Sequence, residues 1–85
     1  TAVTVGASSA SVIGVGQRYY LALLNQSATA TIYCNFDATA AVASATAGQL
    51  TISPLSGYVW DTGKIPSNNI NCIASAASTP MTVLQ

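Results

Sequence analysis

Two short apolar segments on either side of a polar interval constrain the fold of this 85-residue chain more than any other feature. They lie within residues 18–37, RYYLALLNQSATATIYCNFD, and their aromatic and branched side chains are typical of paired β-strands. If Leu21 pairs with Cys34, the most apolar side chains of both strands share one face, and Arg18 lies opposite Asp37. The segment is therefore predicted to be a β-hairpin. Its inward face would carry Tyr19, Leu21, Leu23, Ile32, Cys34 and Phe36.

The outward face of this predicted hairpin is too apolar for a surface in contact with water. It carries Tyr20, Leu24 and Tyr33. Contiguous apolar patches on soluble proteins usually mark contacts. We expect either the N-terminal strand of the chain or another subunit to cover these three side chains, which are the candidate subunit-contact residues.

The remainder of the chain also reads as short strands separated by turn residues. Residues 70–74 and 81–84 predict a second hairpin, and residues 38–48 predict a loop with one helical turn. The fold class is therefore all-β, an antiparallel β-sandwich of jelly-roll or Ig-like type with seven or eight short strands. Residues 1–11 are expected to form an N-terminal arm or a first strand. Residues 12–85 would form the single sandwich domain that a chain of this length allows.

Charged residues make up only 5% of the chain, against about 25% in an average protein. Two cations cannot supply the counterion release on which nucleic-acid binding depends, so no nucleic-acid partner is expected. The longest apolar run, residues 19–24, is far shorter than the ~20 residues of a membrane-spanning helix, so no membrane partner is expected either. A surface this poor in charge gives little protection against self-association, which favours a homo-oligomer over a monomer with a hydroxyl-rich surface.

The chain lacks the residues on which most enzyme and metal sites depend. It has no histidine and only two acidic residues, Asp37 and Asp61, so no Ser-His-Asp or Cys-His arrangement can form within it. Two cysteines without histidine cannot fill the four positions of a structural zinc site. We therefore expect no enzymatic activity, no catalytic residues, no metal and no cofactor.

Cys34 and Cys72 both fall at positions whose alternation points into the core. They either form a disulfide, worth about 3–4 kcal/mol in the chain-entropy model, or remain two buried thiols. Because no signal peptide is visible, free thiols are the favoured expectation. Asn25, Gln26 and Ser27 match a glycosylation acceptor, although a polar hairpin loop is the simpler interpretation.

Tyr58 and Trp60 share one face of a predicted strand. Such rings can form a stacking platform for a sugar, which would make the chain a carbohydrate- or receptor-binding module. The same spacing fits one inward face of a strand, and this core interpretation is favoured.

An ordered set of strand and turn residues runs through the chain: Arg18, Leu21, Leu23, Asn25, Ile32, Tyr33, Gly48, Leu50, Pro54, Gly57, Tyr58, Ile65, Pro66, Ile70, Ile73, Met81 and Val83. In this order the chain resembles the short β-sandwich accessory proteins of tailed phages and phage-like particles. The resemblance covers residues 18–85 and implies a capsid decoration, head-fibre or spike protein. The expected function is therefore that of a non-enzymatic structural virion protein, acting through self-association, with a trimer favoured, and through contacts with a capsid or other virion protein. The expected location is a virion assembled in the host cytoplasm, with a secreted or cell-surface location as the alternative.

Overall fold

Eight β-strands in two sheets make up the fold in the computed structural model, which describes residues 1–42, 49–61 and 63–85. The strands are β1 (Ala2–Val5), β2 (Ala10–Ile13), β3 (Leu21–Asn25), β4 (Ile32–Phe36), β5 (Gln49–Ile52), β6 (Gly57–Trp60), β7 (Ile70–Ala74) and β8 (Thr79–Leu84). Sheet A has the order β1-β8-β3-β6 and sheet B the order β2-β7-β4-β5, with every neighbouring pair antiparallel. The predicted all-β antiparallel sandwich is confirmed. Within the described ranges, no helix is long and apolar enough to span a membrane.

The strand pairing has the form of a two-stranded ribbon rolled up on itself. Strand β4 pairs with β5, β3 with β6, β2 with β7 and β1 with β8, so the chain doubles back at the β4–β5 connection. Rolling the ribbon brings β3 beside β8 and β4 beside β7, which completes the two four-stranded sheets. Of the two sandwich types expected from the sequence, this arrangement is the eight-stranded jelly roll.

The predicted hairpin over residues 18–37 is wrong, because β3 lies in sheet A and β4 in sheet B. The second predicted hairpin is wrong for the same reason, since β7 and β8 also lie in different sheets. Alternation along a strand determines which side chains are buried, but two facing sheets satisfy it as well as two paired strands do. Leu21, Leu23, Ile32 and Cys34 are accordingly buried in the common core as predicted, whereas Tyr19 precedes β3 and is 84% exposed.

The N-terminal residues belong to the sandwich. Strand β1 pairs with β8 at one edge of sheet A, and β2 begins at Ala10, so the expected domain boundary after residue 11 falls inside a strand of sheet B. Of the two alternatives for residues 1–11, the structure therefore has strands. Residues 38–42 of the predicted loop are not helical, and residues 43–48 lie outside the described residues.

A disulfide joins Cys34 to Cys72 in the centre of sheet B. The two residues are direct cross-strand neighbours on β4 and β7, and both side chains are buried against sheet A. The expectation of two free thiols is wrong, because this register brings the two sulfur atoms within bonding distance. The surrounding core draws on both sheets and includes Val5, Leu21, Leu23, Ile32, Ile52, Ile70, Met81 and Val83.

Gly57 lies where sheet A leaves no room for a side chain. A Cβ atom at this position would lie 2.5 Å from Leu24 Cδ2 and 2.7 Å from the Leu23 carbonyl oxygen. We therefore expect Gly57→Ala to lower the free energy of unfolding by about 1–3 kcal/mol, since the backbone of β6 must shift away from β3. Gly14→Ala is the matched control, because a Cβ there has nothing within 4 Å. Equal stability of the two variants in urea denaturation would contradict this account.

Candidate functional site

The outer face of sheet A carries an apolar surface, which we call the sheet A patch. Strand register places Leu84, Ala22 and Val59 in one row across β8, β3 and β6. Leu84 is 41% and Val59 54% exposed, while Ala22 between them is buried by its neighbours. Leu24 lies over Gly57 in the next row, and Tyr20 borders a cleft shared with Gln85, which follows Leu84. The patch consists of Tyr20, Ala22, Leu24, Val59 and Leu84.

The outer face of sheet B is different, because the chain covers part of it with its own residues 38–41. Asn71 Nδ2 donates a 2.8 Å hydrogen bond to the Ala38 carbonyl oxygen, and Asn35 Nδ2 lies 3.4 Å from that of Thr39. The Gln49 side chain exchanges two hydrogen bonds with the backbone of Ala41. Side-chain amides of sheet B thus hold this crossing segment in place.

The three candidate subunit-contact residues are not brought together. Tyr20 and Leu24 belong to the sheet A patch, whereas Tyr33 is half-buried on the outer face of sheet B, next to Ile73 and Thr51. These three residues share one face only if β3 and β4 form one hairpin, as the sequence predicts. The two strands lie in opposite sheets, so Tyr33 is separated from Tyr20 and Leu24. Val59 and Leu84 take the place of Tyr33 in the patch, and the sequence did not single them out.

Tyr58 and Trp60 lie on the inner side of β6, opposite Leu23 and Leu21. Trp60 packs against the core and meets the Phe36 ring edge-on, with 6.2 Å between ring centroids. Tyr58 stacks beside Trp60 and is 42% exposed. The position of Trp60 agrees with the core interpretation, whereas Tyr58 lies outside the core cluster and has a substantial surface in contact with solvent.

The predicted pairing of Arg18 with Asp37 across a hairpin is wrong. Both side chains instead bind the loop between β6 and β7. The Arg18 guanidinium donates to the carbonyl oxygens of Pro66 and Asn68 in this loop, and also to that of Gly14. The Asp37 carboxylate accepts hydrogen bonds from the Asn68 side chain and the Asn69 backbone N–H. The cation thus binds the acceptors of the loop and the anion binds its donors.

Two clefts lie beside the segment that contains Arg18. Their volumes are about 420 and 390 Å³, and both are lined by Gln17, Arg18 and Tyr19. Asp61 lines the larger cleft, where it is the only carboxylate among the lining residues. Arg18 is buried and its guanidinium is occupied by backbone carbonyl groups, so these residues do not make an acid–base pair of the kind that general catalysis requires.

Asn25 is a key structural residue that was misinterpreted from the sequence. Its side chain is 2% exposed, and Nδ2 donates to the carbonyl oxygens of Ala30, Ile52 and Ser53. Its Oδ1 accepts a 2.9 Å hydrogen bond from the Ser27 N–H. The amide thus fixes the connection that carries the chain from sheet A to sheet B, and it is not the exposed polar loop expected from the sequence. The signal was its alternation with Leu21 and Leu23, which places all three side chains inward.

The fold and these surfaces are the basis for any functional interpretation of the chain. No protein-family model, no curated protein and no solved structure matches it.

Proposed function

We propose that this chain is a non-enzymatic structural protein of a virion, a capsid decoration or head-fibre component that acts through self-association and contact with a capsid protein. The observation that carries the proposal is the sheet A patch. An outward sheet face in contact with water is normally polar, and a contiguous apolar area usually marks a protein contact. Tyr20, Val59 and Leu84 are each more than a third exposed there.

Charge supports the same proposal. The formal net charge is zero and charged residues are rare, so copies of the chain approach one another without net repulsion. None of the five patch residues is charged, so an occupant of the patch need not neutralise any charge there. An apolar partner surface, such as another protein, therefore fits it best.

The jelly roll is compatible with this role, because viral capsid domains are among the proteins that use it. Lectin domains use it too, so the fold alone does not decide between a structural and a sugar-binding protein. A carbohydrate-binding role through Tyr58 and Trp60 has less support, because Trp60 is packed against Phe36 and the core.

The sheet A patch can be tested by measuring assembly. We expect the wild-type chain to form oligomers in light scattering at micromolar concentration. Leu84→Lys should weaken this association at least about tenfold, because the contact would then bury an unpaired ammonium group. Val15→Lys is the matched control, since Val15 is 78% exposed and lies outside the patch.

The location in a virion needs a second readout. Particles pelleted from cells that carry the gene in its natural context should be labelled by an antibody raised against this chain. The Leu84→Lys variant, expressed in its place, should label them less than Val15→Lys does. A wild-type chain that stays monomeric and does not sediment with particles would contradict the proposed function.

A further inference from the structure

Strand β6 forms an edge of sheet A, and among the described residues no strand pairs with its outer side. Asn25 N–H donates a 2.8 Å hydrogen bond to the Ser56 carbonyl oxygen at the start of the β3–β6 pair. Along an antiparallel strand, residues whose backbone groups bond to the neighbouring strand on one side alternate with residues whose backbone groups point to the other side. The backbone groups of Tyr58 and Trp60 therefore bond to β3. Gly57 and Val59 therefore direct their N–H and C=O groups away from the sheet, and Asp61 continues the alternation directly after the strand.

This edge lacks the features that usually prevent pairing with another chain. Edge strands are commonly protected by lysine, proline or a bulge. Strand β6 has none of these between Gly57 and Trp60, whereas β2 at an edge of sheet B has an irregularity between Ser11 and Ile13. Val59, at the middle of the strand, is also 54% exposed and therefore accessible to another chain.

We propose that two copies of the chain pair through β6, antiparallel and centred on Val59. In this register Val59 exchanges hydrogen bonds with Val59 of the second copy, and Gly57 exchanges them with Asp61 at either end, about six bonds in all. Each Asp61 meets a glycine instead of another carboxylate. Tyr58 of each copy lies opposite Trp60 of the other, which forms two aromatic cross-strand pairs. The strand is therefore complementary to itself in backbone, charge and side chains.

The pairing rests on the proposed self-association and supplies a first contact within it. It joins sheet A of both copies into one continuous sheet, so two sheet A patches lie side by side on the same face. The sheet A patches then join such dimers into larger oligomers, which is the association that Leu84→Lys weakens. A stable interface usually buries about 800 Å² on each partner, and five side chains supply only part of that area. The doubled patch is thus a larger surface than a single one, both for another dimer and for a capsid protein. The contact is twofold, so the basic unit is a dimer, not the trimer favoured from the sequence.

Cross-linking at the centre of the pairing tests the register. Hydrogen-bonded cross-strand residues have Cα atoms about 5.5 Å apart, which suits a disulfide. We expect Val59→Cys to form a covalent dimer under mild oxidation at least about tenfold faster than Val15→Cys, because pairing raises the effective concentration of the two thiols. Cys34 and Cys72 do not interfere, since they are bonded to each other and buried. Equal rates for the two variants would overturn the inference.

The backbone contribution is tested separately. Val59→Pro removes one outward N–H from each copy without removing a bond to β3, and should weaken the dimer about 10- to 100-fold in sedimentation velocity. Val59→Thr keeps the N–H and the branched side chain, and should bind like the wild type. If Val59→Pro associates normally while Leu84→Lys does not, the β6 pairing is wrong and the proposed function stands. If Val59→Cys cross-links but the chain is absent from particles, the pairing stands and the proposed function is wrong.

Discussion

Replacing Asn25 with aspartate is expected to destabilise the protein more than any other single change of comparable size. The substitution exchanges an amide that donates to the carbonyl oxygens of Ala30, Ile52 and Ser53 for a carboxylate that repels all three. A buried charge without a partner costs more than about 4 kcal/mol, which is a large part of the 5–15 kcal/mol that stabilises a typical domain. The melting temperature should fall by more than about 15 °C in thermal denaturation followed by circular dichroism.

Gln26→Glu is the matched control for this prediction. It makes the same change from amide to acid one residue further on, where the side chain is exposed, and should alter stability by less than about 0.5 kcal/mol. Acidification provides a second readout, because a protonated carboxyl group can again donate one hydrogen bond. The loss caused by Asn25→Asp should therefore shrink as the pH falls. Equal stabilities of the two variants at neutral pH would show that the amide does not hold the connection between the sheets.

Removing the disulfide is the second change with a large expected effect. Cys34 and Cys72 are 38 positions apart, so the bond closes a loop that covers nearly half of the chain in the unfolded state. The double substitution of Cys34 and Cys72 by alanine should lower the free energy of unfolding by about 3–5 kcal/mol, through a less restricted unfolded state and the small cavities left in the core. Urea denaturation followed by Trp60 fluorescence measures the loss.

Reduction of the wild-type protein distinguishes the contribution of the disulfide to stability from the effect of the cavities in the alanine variant. The disulfide is buried, so reductant alone should leave it intact in the folded protein, and reductant together with urea should open it. The reduced chain keeps both sulfur atoms, so it should lie between the wild type and the alanine variant in stability. A reduced protein as stable as the oxidised one would contradict a stabilising role for the bond.

Much of the fold could be predicted from local patterns. Short runs of branched and aromatic residues marked β3, β4, β6, β7 and most of β8, and alternation identified inward side chains such as Leu21, Ile32 and Cys72. For residues 1–11, which hold β1 and the start of β2, the pattern allowed either an arm or a strand. The assignment of strands to sheets could not be predicted in the same way. Leu23 and Ile32 are buried whether their strands pair with each other or face each other across the core, so alternation does not choose between a hairpin and a crossing connection.

The site could be predicted only in part, for a related reason. Tyr20 and Leu24 were identified as outward apolar residues, and both belong to the sheet A patch. Val59 and Leu84 join them only because β6 and β8 flank β3, and this depends on pairings between strands far apart in the sequence. The proposed role of a surface depends on which strands are neighbours, which the residues of a single strand do not specify.

The place of β8 in sheet A has a consequence for how the protein is made. Strand β8 lies between β1 and β3, so neither of those strands has its full set of neighbours until β8 has left the ribosome. The β4–β5 pair requires the shortest loop to be closed, and pairing then spreads outward along the ribbon, because the entropic cost of closure rises with loop length. Until β8 has been made, the growing chain therefore exposes the apolar faces of β1 and β3, with few charged residues to keep it from aggregating.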